Sequence, residues 1–515
     1  MRLRHYPGPA QEEHCNQKDS VRPTPPGRAC GTKRRARAPL TPPPRGITLP
    51  RSAITVRISE SSPAPRPALF GIAWPIFAEF LLGMTVGAVG LWLAARDSDT
   101  AAGAFSLANH LMAALFILFR VVGIGVSVVI TQNLGAGRRD EADAVARAGL
   151  GASTWMGLGV ALVTVVAAEP LLKLMSAPPE VLPLATPFLQ VLAVALALDA
   201  YNASMASVMR AHLHGRDTLF VMVGMHAVHL LLAAPLMRGS GPLPALGLIG
   251  FAVALAASRA AGLAMHLWLW SLRLNLTPQR ADWWRLPARQ INAVLHIGLP
   301  GAAENIAYRV AFMVSVAVAA RMGAGALATQ SYALQVMYYV LLFGLATGFA
   351  SEILVGHMIG AGRLHEAHRL VRRNLAWGLG VSTTMALLAA LAAPWVLRLF
   401  TQDDAIIDAA TTLLWITVLL EPGRTFNLVV INALRATGDA RFPVAAGAVS
   451  MALVLAGGSW LLGATLGLGL VGVWIAYTAD EWLRGLLMWW RWERHGWVRH
   501  ARATHRKLRA ARQGT

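Results

Sequence analysis

A chain of 515 residues that is 55% hydrophobic and only 14% charged sits well below the roughly 25% charged residues of an ordinary soluble domain. Its formal net charge is nevertheless +20, with a pI near 11.3. The combination excludes one uniform soluble domain and predicts an apolar body with basic segments attached.

Residues 1–67 carry thirteen Lys and Arg against four acids, thirteen of the 28 prolines, and both cysteines, Cys15 and Cys30. No run there is apolar enough for a signal-peptide core. The Pro/Arg-rich composition cannot bury a core, so the tail is expected to be disordered. Two alternatives are contact with nucleic acid or anionic lipid through Lys33-Arg34-Arg35-Ala36-Arg37, and a translation start downstream of Met1. Residues 68–490 have 25 bases and 21 acids and no cysteine. That leaves the body no disulfide and no thiolate metal site. Residues 491–515 form a second basic tail, with eight bases and one acid. Arg outnumbers Lys by 42 to 4, a composition that points to a GC-rich bacterial genome.

The body is a series of apolar runs, each close to the roughly 20 residues that cross a bilayer core. Twelve are placed: 69–95, 102–131, 143–168, 183–210, 218–237, 246–271, 293–320, 327–356, 368–393, 406–434, 442–463 and 468–490. Lipid supplies no partner for backbone N–H and C=O, so each should be an α-helix. With the N-terminus inside, five inner loops carry fifteen Arg, among them Arg210 and Arg435, and the outer loops carry five Lys and Arg. That alternating bias orients the helices and returns the C-terminal tail to the inside. The expectation is an all-α protein of a bacterial inner (plasma) membrane with both termini cytoplasmic. It has a six-helix N-lobe over 69–271, a cytoplasmic linker over 272–292 and a six-helix C-lobe over 293–490.

The lobes repeat one another at a constant offset of 225 residues. Pro75 matches Pro300, and Glu79 matches Glu304. Gly135-Ala136-Gly137-Arg138 matches Gly360-Ala361-Gly362-Arg363. Asn202 matches Asn427, and Arg210-Ala211 matches Arg435-Ala436. Six helices per repeat is an even number, so both lobes enter from the same side. A parallel repeat of this kind places a cleft between two bundles, as in transporters. The glycines at 135, 137, 360 and 362 suit tight turns after a long helix. They are not a phosphate loop, because no strand precedes them and no Lys-Ser/Thr follows.

The segments TQNLGAGRRDEADAVAR (131–147) and VGHMIGAGRLHEAHRLVRR (355–373) resemble the signature loops of the multidrug and toxic compound extrusion family. Ala433–Asp439 is similar to that family's LRGxGD element. The resemblance covers 69–490. It implies a twelve-helix secondary transporter that exports amphipathic, often cationic compounds in exchange for H⁺ or Na⁺ by alternating access. It also implies an alternative, a flippase for a lipid-linked oligosaccharide precursor. The chain departs from the family where coupling chemistry lies. Tyr308 stands where many members have a seventh-helix Glu, Gly90 stands near the usual first-helix acid, and His229 and Ala233 stand near a usual Asn and Asp.

Ionisable groups at bilayer depth mark function by default. Five acids (Glu79, Asp199, Glu304, Glu352, Glu421) and four arginines (Arg120, Arg259, Arg309, Arg424) are placed well inside spans. Glu79 and Glu304 are the first coupling candidates. Each lies one turn after a proline, and Glu304 shares a face with Tyr308. The competing reading makes them salt-bridged structural residues, with Arg120 or Arg309 as partners. Glu352 reads as a gate or capping residue. Asp199 is a further coupling or substrate candidate, with an ion pair to its repeat equivalent Arg424 across the pseudo-twofold axis as the alternative. Asn202 and Asn427 are candidates for substrate contact or for helix-to-helix bonds, and His226 and His229 for titration or a buried pair. Acids slightly outnumber arginines, which favours cationic cargo over the phosphates of a flippase. No nucleophile, metal or cofactor pattern is present, so the expectation is no enzyme, no cofactor, no metal and no nucleic acid. What remains is a monomer with a small-molecule substrate in a lipid bilayer.

Overall fold

The computed structural model describes residues 69–175, 177–239 and 245–513; the expectations for residues 1–67 fall outside them. Among the described residues the regular elements are all helical. The N-lobe is α1 (Leu69–Ala95), α2 (Asp99–Gly135), α3 (Arg139–Val166), the short α4 (Ala168–Leu174), α5 (Leu182–Ala211), α6 (Gly215–Arg238) and α7 (Gly247–Leu269). The C-lobe is α8 (Ala288–Arg321), α9 (Ala324–Gly360), α10 (Leu364–Leu397), α11 (Asp404–Ala436), α12 (Arg441–Ser450) and α13 (Gly469–Glu493), followed by α14 (Gly496–Gln513).

Eleven of these segments are long and apolar enough to cross a membrane. α13 has the length, at 25 residues. Asp480, Glu481 and Arg484 in its middle lower its hydropathy and set it apart from the rest. Local chemistry fixes the ends. Ser98 Oγ accepts from the Ala101 amide at 3.0 Å to start α2. Asp403 Oδ1 accepts from the Ala405 amide at 2.9 Å to start α11. Such caps satisfy amides that the first helical turn leaves free. α12 continues to Thr465 through two π-helical stretches, Met451–Ala456 and Ser459–Thr465.

Gly137 (φ 72°) and Gly362 (φ 74°) take the left-handed turn at the same place in each lobe. The turn after the fourth span of each lobe is less even. Gly438 (φ 91°) ends α11, while its equivalent after α5 is Leu213 (φ 67°). A non-glycine residue there bears a cost of about 1–2 kcal/mol, which the glycine avoids.

The lobes meet where the repeat predicts a symmetric seam. α1 lies on α9, and α2 lies on α8 and α9. The closest approaches need glycine. A Cβ at Gly135 would overlap the His357 carbonyl, and one at Gly360 would overlap the Gln132 carbonyl. Gln132 and His357 are themselves repeat equivalents. Gln132 Nε2 donates to the Ala436 carbonyl at 2.9 Å, and His357 Nε2 donates to the Ala211 carbonyl at 2.8 Å. These two bonds are related by the 225-residue offset at both ends. Phe77 stacks on Phe343 at 4.2 Å farther along the seam. All the cross-lobe hydrogen bonds among the described residues lie in the half that carries the Gly-Ala-Gly loops, so the bundle is closed at that end.

The second basic tail takes in the end of α13 and the helix α14, which is folded back on the C-lobe. Trp497 stacks on Trp492 at 4.4 Å. His505 Nδ1 donates to the Gly360 carbonyl at 3.0 Å, and Arg491 Nε donates to Asp439 at 2.9 Å.

Candidate functional site

A cavity of about 460 Å³ lies in the N-lobe, walled by α1, α2, α5, α6 and α7 and closed on one side by Phe349, Glu352 and Ile353 of α9. Its walls are mainly apolar, with Met112, Phe116, Phe119, Met225 and Phe251 contributing. Three acids line it (Glu79, Asp199, Glu352), as do three arginines (Arg120, Arg210, Arg259). An apolar chamber with a few convergent charges is the common form of a small-molecule site.

Glu79 is held by Arg210 Nη1 at 2.8 Å and by the Thr218 hydroxyl. Glu304 is held by Arg435, which also donates to Asn432 Oδ1 at 3.2 Å. The two pairs are repeat equivalents, with 131 residues between partners in each lobe. The partners are therefore neither Arg120 nor Arg309. Arg210 and Arg435 each stand within a residue or two of a helix end, which places them among the loop arginines by sequence, yet their long side chains turn back into the bundle. The signal was in the sequence: both members of each pair recur at the same offset.

Asp199 pairs with Arg259 of its own lobe at 2.7 Å, not with Arg424. Arg424 instead bonds Glu421 Oε1 at 2.6 Å and Glu481 Oε1 at 3.1 Å. Glu481 also meets Arg484 at 2.9 Å, and Arg484 meets Asp480 at 2.7 Å. Sequence reasoning missed Asp480, Glu481 and Arg484 because the last span was read as an apolar run. Counting them, with Arg210 and Arg435, brings the intramembrane set to seven acids and seven arginines. The slight acid excess used to argue for cationic cargo therefore disappears.

Asn427 Nδ2 donates to Glu481 Oε2 at 3.1 Å. Asn202 Nδ2 donates to the Arg259 carbonyl at 3.0 Å, so it ties α5 to α7 beside the cavity. Ser127 Oγ donates to Glu352 Oε1 at 3.2 Å, and these two residues are repeat equivalents meeting across the seam. Glu352 Oε2 is buried without a partner. Arg120 sits over the Phe349 ring at 5.6 Å. His229 meets the Phe251 ring edge-on at 4.6 Å, and both ring nitrogens of His226 and of His229 are buried without partners. Tyr308 stacks on Phe312, and Arg484 lies over its ring at 5.8 Å; it belongs to the C-lobe charge cluster rather than the cavity. Arg309 is exposed. In the loops, Arg138 Nη1 donates to Asn133 Oδ1 at 3.2 Å, and Arg363 lies 3.6 Å from Glu366. Among the described residues no group of three or more His, Cys, Asp or Glu could hold a metal.

The cavity can thus take an apolar molecule and offer it a few polar anchors: a carboxylate oxygen, a guanidinium on an aromatic face, and imidazoles. Relatives show the same body plan. The MatE family model matches residues 75–234 and 300–461, once per lobe. An uncharacterized transporter, YisQ of Bacillus subtilis (strain 168), is 32% identical over 436 residues, 85% of this chain and 96% of its own length. A probable multidrug resistance protein NorM of Pseudomonas putida is 27% identical over 422 residues, covering 79% and 89%. The crystal structure of the Vibrio cholerae MATE transporter VcmN in the bent form superposes with a TM-score of 0.75 at 19% identity, over 85% of this chain and 97% of that one. With the family matched in both lobes and the two-lobe helical fold in place, the chain belongs to the MATE family of multidrug efflux transporters.

Proposed function

We propose that the protein is a secondary active antiporter of the plasma membrane that exports amphipathic organic compounds, cations among them, in exchange for inward H⁺ or Na⁺. The observation that carries this reading is the position of the cavity against a symmetric closed seam. The arginine bias of the loops puts the Gly-Ala-Gly end in the cytoplasm. The seam then separates the N-lobe cavity from the cytoplasm, and opening it while the far side closes would move cargo across. The seam suits such a switch because its contacts are two equivalent sets of hydrogen bonds and glycine approaches, which make or break together. Cargo binds by apolar contact, and Glu352 Oε2 supplies attraction for a basic nitrogen. The balanced charge of the cavity does not favour a flippase, whose phosphate cargo calls for a basic one.

Reconstituted protein with tetraphenylphosphonium as probe tests this, with H⁺ and Na⁺ gradients imposed separately. The expected result is probe movement out of the cytoplasm-equivalent compartment, driven by one of the two gradients and well above that of protein-free liposomes. Movement driven by neither gradient would overturn the antiport reading.

A further inference from the structure

The C-lobe holds a charge cluster that does not balance. Glu421 and Arg424 of α11 and Asp480, Glu481 and Arg484 of α13 are all at most 4% exposed. Three carboxylates therefore face two guanidiniums. The equivalent place in the N-lobe holds one acid and one base, Asp199 and Arg259. Arg424 stands where the N-lobe has Asp199, and Arg484 stands where it has Arg259. The acids at 421, 480 and 481 stand where it has Leu196, Leu255 and Ala256.

An uncompensated charge buried this deeply is strongly disfavoured, and it is relieved by taking up a counter-charge. The other groups facing Glu421 do not supply one. α8 brings Glu304, already matched to Arg435 of α11, the neutral Tyr308, and Arg309, which is exposed and forms no ion pair with Glu421. α9 brings the neutral Tyr338. The charged residues of α10 all lie within its first turns, up to Arg373. The cluster is one positive charge short.

The bonding pattern says where that charge goes. Both oxygens of Glu481 are engaged, Oε1 by Arg424 and Arg484 and Oε2 by Asn427. Both oxygens of Asp480 are engaged, Oδ1 by Ser450 at 2.7 Å and Oδ2 by Arg484 at 2.9 Å. Glu421 uses Oε1 for Arg424, while its Oε2 is buried with no partner. The next residue is Pro422, inside the helix. It has no N–H, so the Val418 carbonyl loses its helical donor. An unpartnered carboxylate oxygen thus lies within one turn of a carbonyl that has lost its helical donor, and a proton on that oxygen would remove the uncompensated charge.

We propose that Glu421 is a proton-binding site, carrying one exchangeable proton on Oε2 while Oε1 continues to accept from Arg424. The binding step is carboxylate plus H⁺ to carboxylic acid, with nothing else consumed. Its role as the coupling proton of the C-lobe rests on the antiport reading; the protonation itself does not.

Two measurements on the full-length protein separate them. In infrared difference spectra of detergent-solubilised protein at neutral pH, wild type minus Glu421→Gln should show the C=O band of a protonated carboxyl, unchanged by added Na⁺. Absence of that band, or its replacement by a carboxylate band on adding Na⁺, overturns the proposal whatever the transport assay gives. Glutamine mimics the protonated acid, so Glu421→Gln should melt where wild type does, whereas Glu481→Gln should melt lower. If Glu421→Gln melts as far below wild type as Glu481→Gln, Glu421 is an obligate counter-ion and the proposal fails. In proteoliposomes Glu421→Gln should lose pH-gradient-driven tetraphenylphosphonium transport down to the protein-free level while keeping gradient-independent exchange of the probe. Undiminished gradient-driven transport would remove Glu421 from coupling.

Discussion

Replacing Arg435 with alanine is expected to destabilise the protein by about 3–5 kcal/mol, the range for removing one partner of a buried ion pair. The loss is not the strength of the bond alone. Glu304 would be left as an unmatched carboxylate, with its side chain only 11% exposed, beside a cluster already one positive charge short. Arg210→Ala should cost less, because Arg210 retains 23% exposure and water can reach the Glu79 pair. The double variant Glu304→Gln with Arg435→Gln should recover most of the loss, since it removes both charges and leaves two amides able to bond each other. Thermal melting of the purified variants checks the order. A cost under about 1 kcal/mol for Arg435→Ala would be the figure of an exposed pair and would refute the burial argument.

The second large effect is expected at the seam. Gly360→Val should weaken the closed state by about 3 kcal/mol, the upper part of the overpacking range. The atom in the way is the Gln132 carbonyl, and backbone cannot step aside as a flexible side chain can. The relief open to the protein is to part the lobes. Gly135→Val, which meets the His357 carbonyl, should behave alike because it is the same contact seen from the other lobe. Gly380→Val is the control, since nothing lies within 4 Å of a Cβ there. A seam variant that melts like the control would mean the glycines are not holding the lobes together.

Much of this architecture is legible in the sequence. Apolar run length gives the helices, the 225-residue offset gives the lobes, and the Gly-Ala-Gly loops carry the family. The side-chain partners are less legible, for a physical reason. In a soluble helix a 3.6-residue apolar stripe shows which face meets the core. In a bilayer lipid-facing and core-facing surfaces are both apolar, so the stripe fades and the rotation of each helix is lost. Asp199 and Arg424 could therefore be drawn across the axis on paper, although each meets a partner in its own lobe. Arg210 and Arg435 mislead differently: Cα sits at the helix end while the guanidinium reaches inward. The repeat resolves these, because a pair that recurs at the same offset, such as Glu79–Arg210 and Glu304–Arg435, marks a contact without any knowledge of rotation. Asp480 and Glu481 lack such equivalents, and only the packing of α13 against α11 brings Glu481 to Arg424.

On the antiport reading, the N-lobe cavity is sealed from the Gly-Ala-Gly side at rest and becomes open to it in the transport cycle. Ala206 lines the cavity on α5, and the described residues contain no cysteine. With Cys15 and Cys30 replaced by serine, Ala206→Cys provides one thiol at the right place. In oriented proteoliposomes a membrane-impermeant thiol reagent should label it from the face opposite the Gly-Ala-Gly loops at rest. Labelling from the loop face should appear when Gly360→Val opens the seam or when tetraphenylphosphonium and a driving gradient are supplied together. Labelling from the loop face alone, or from one unchanging face under every condition, would contradict alternating access through this cavity.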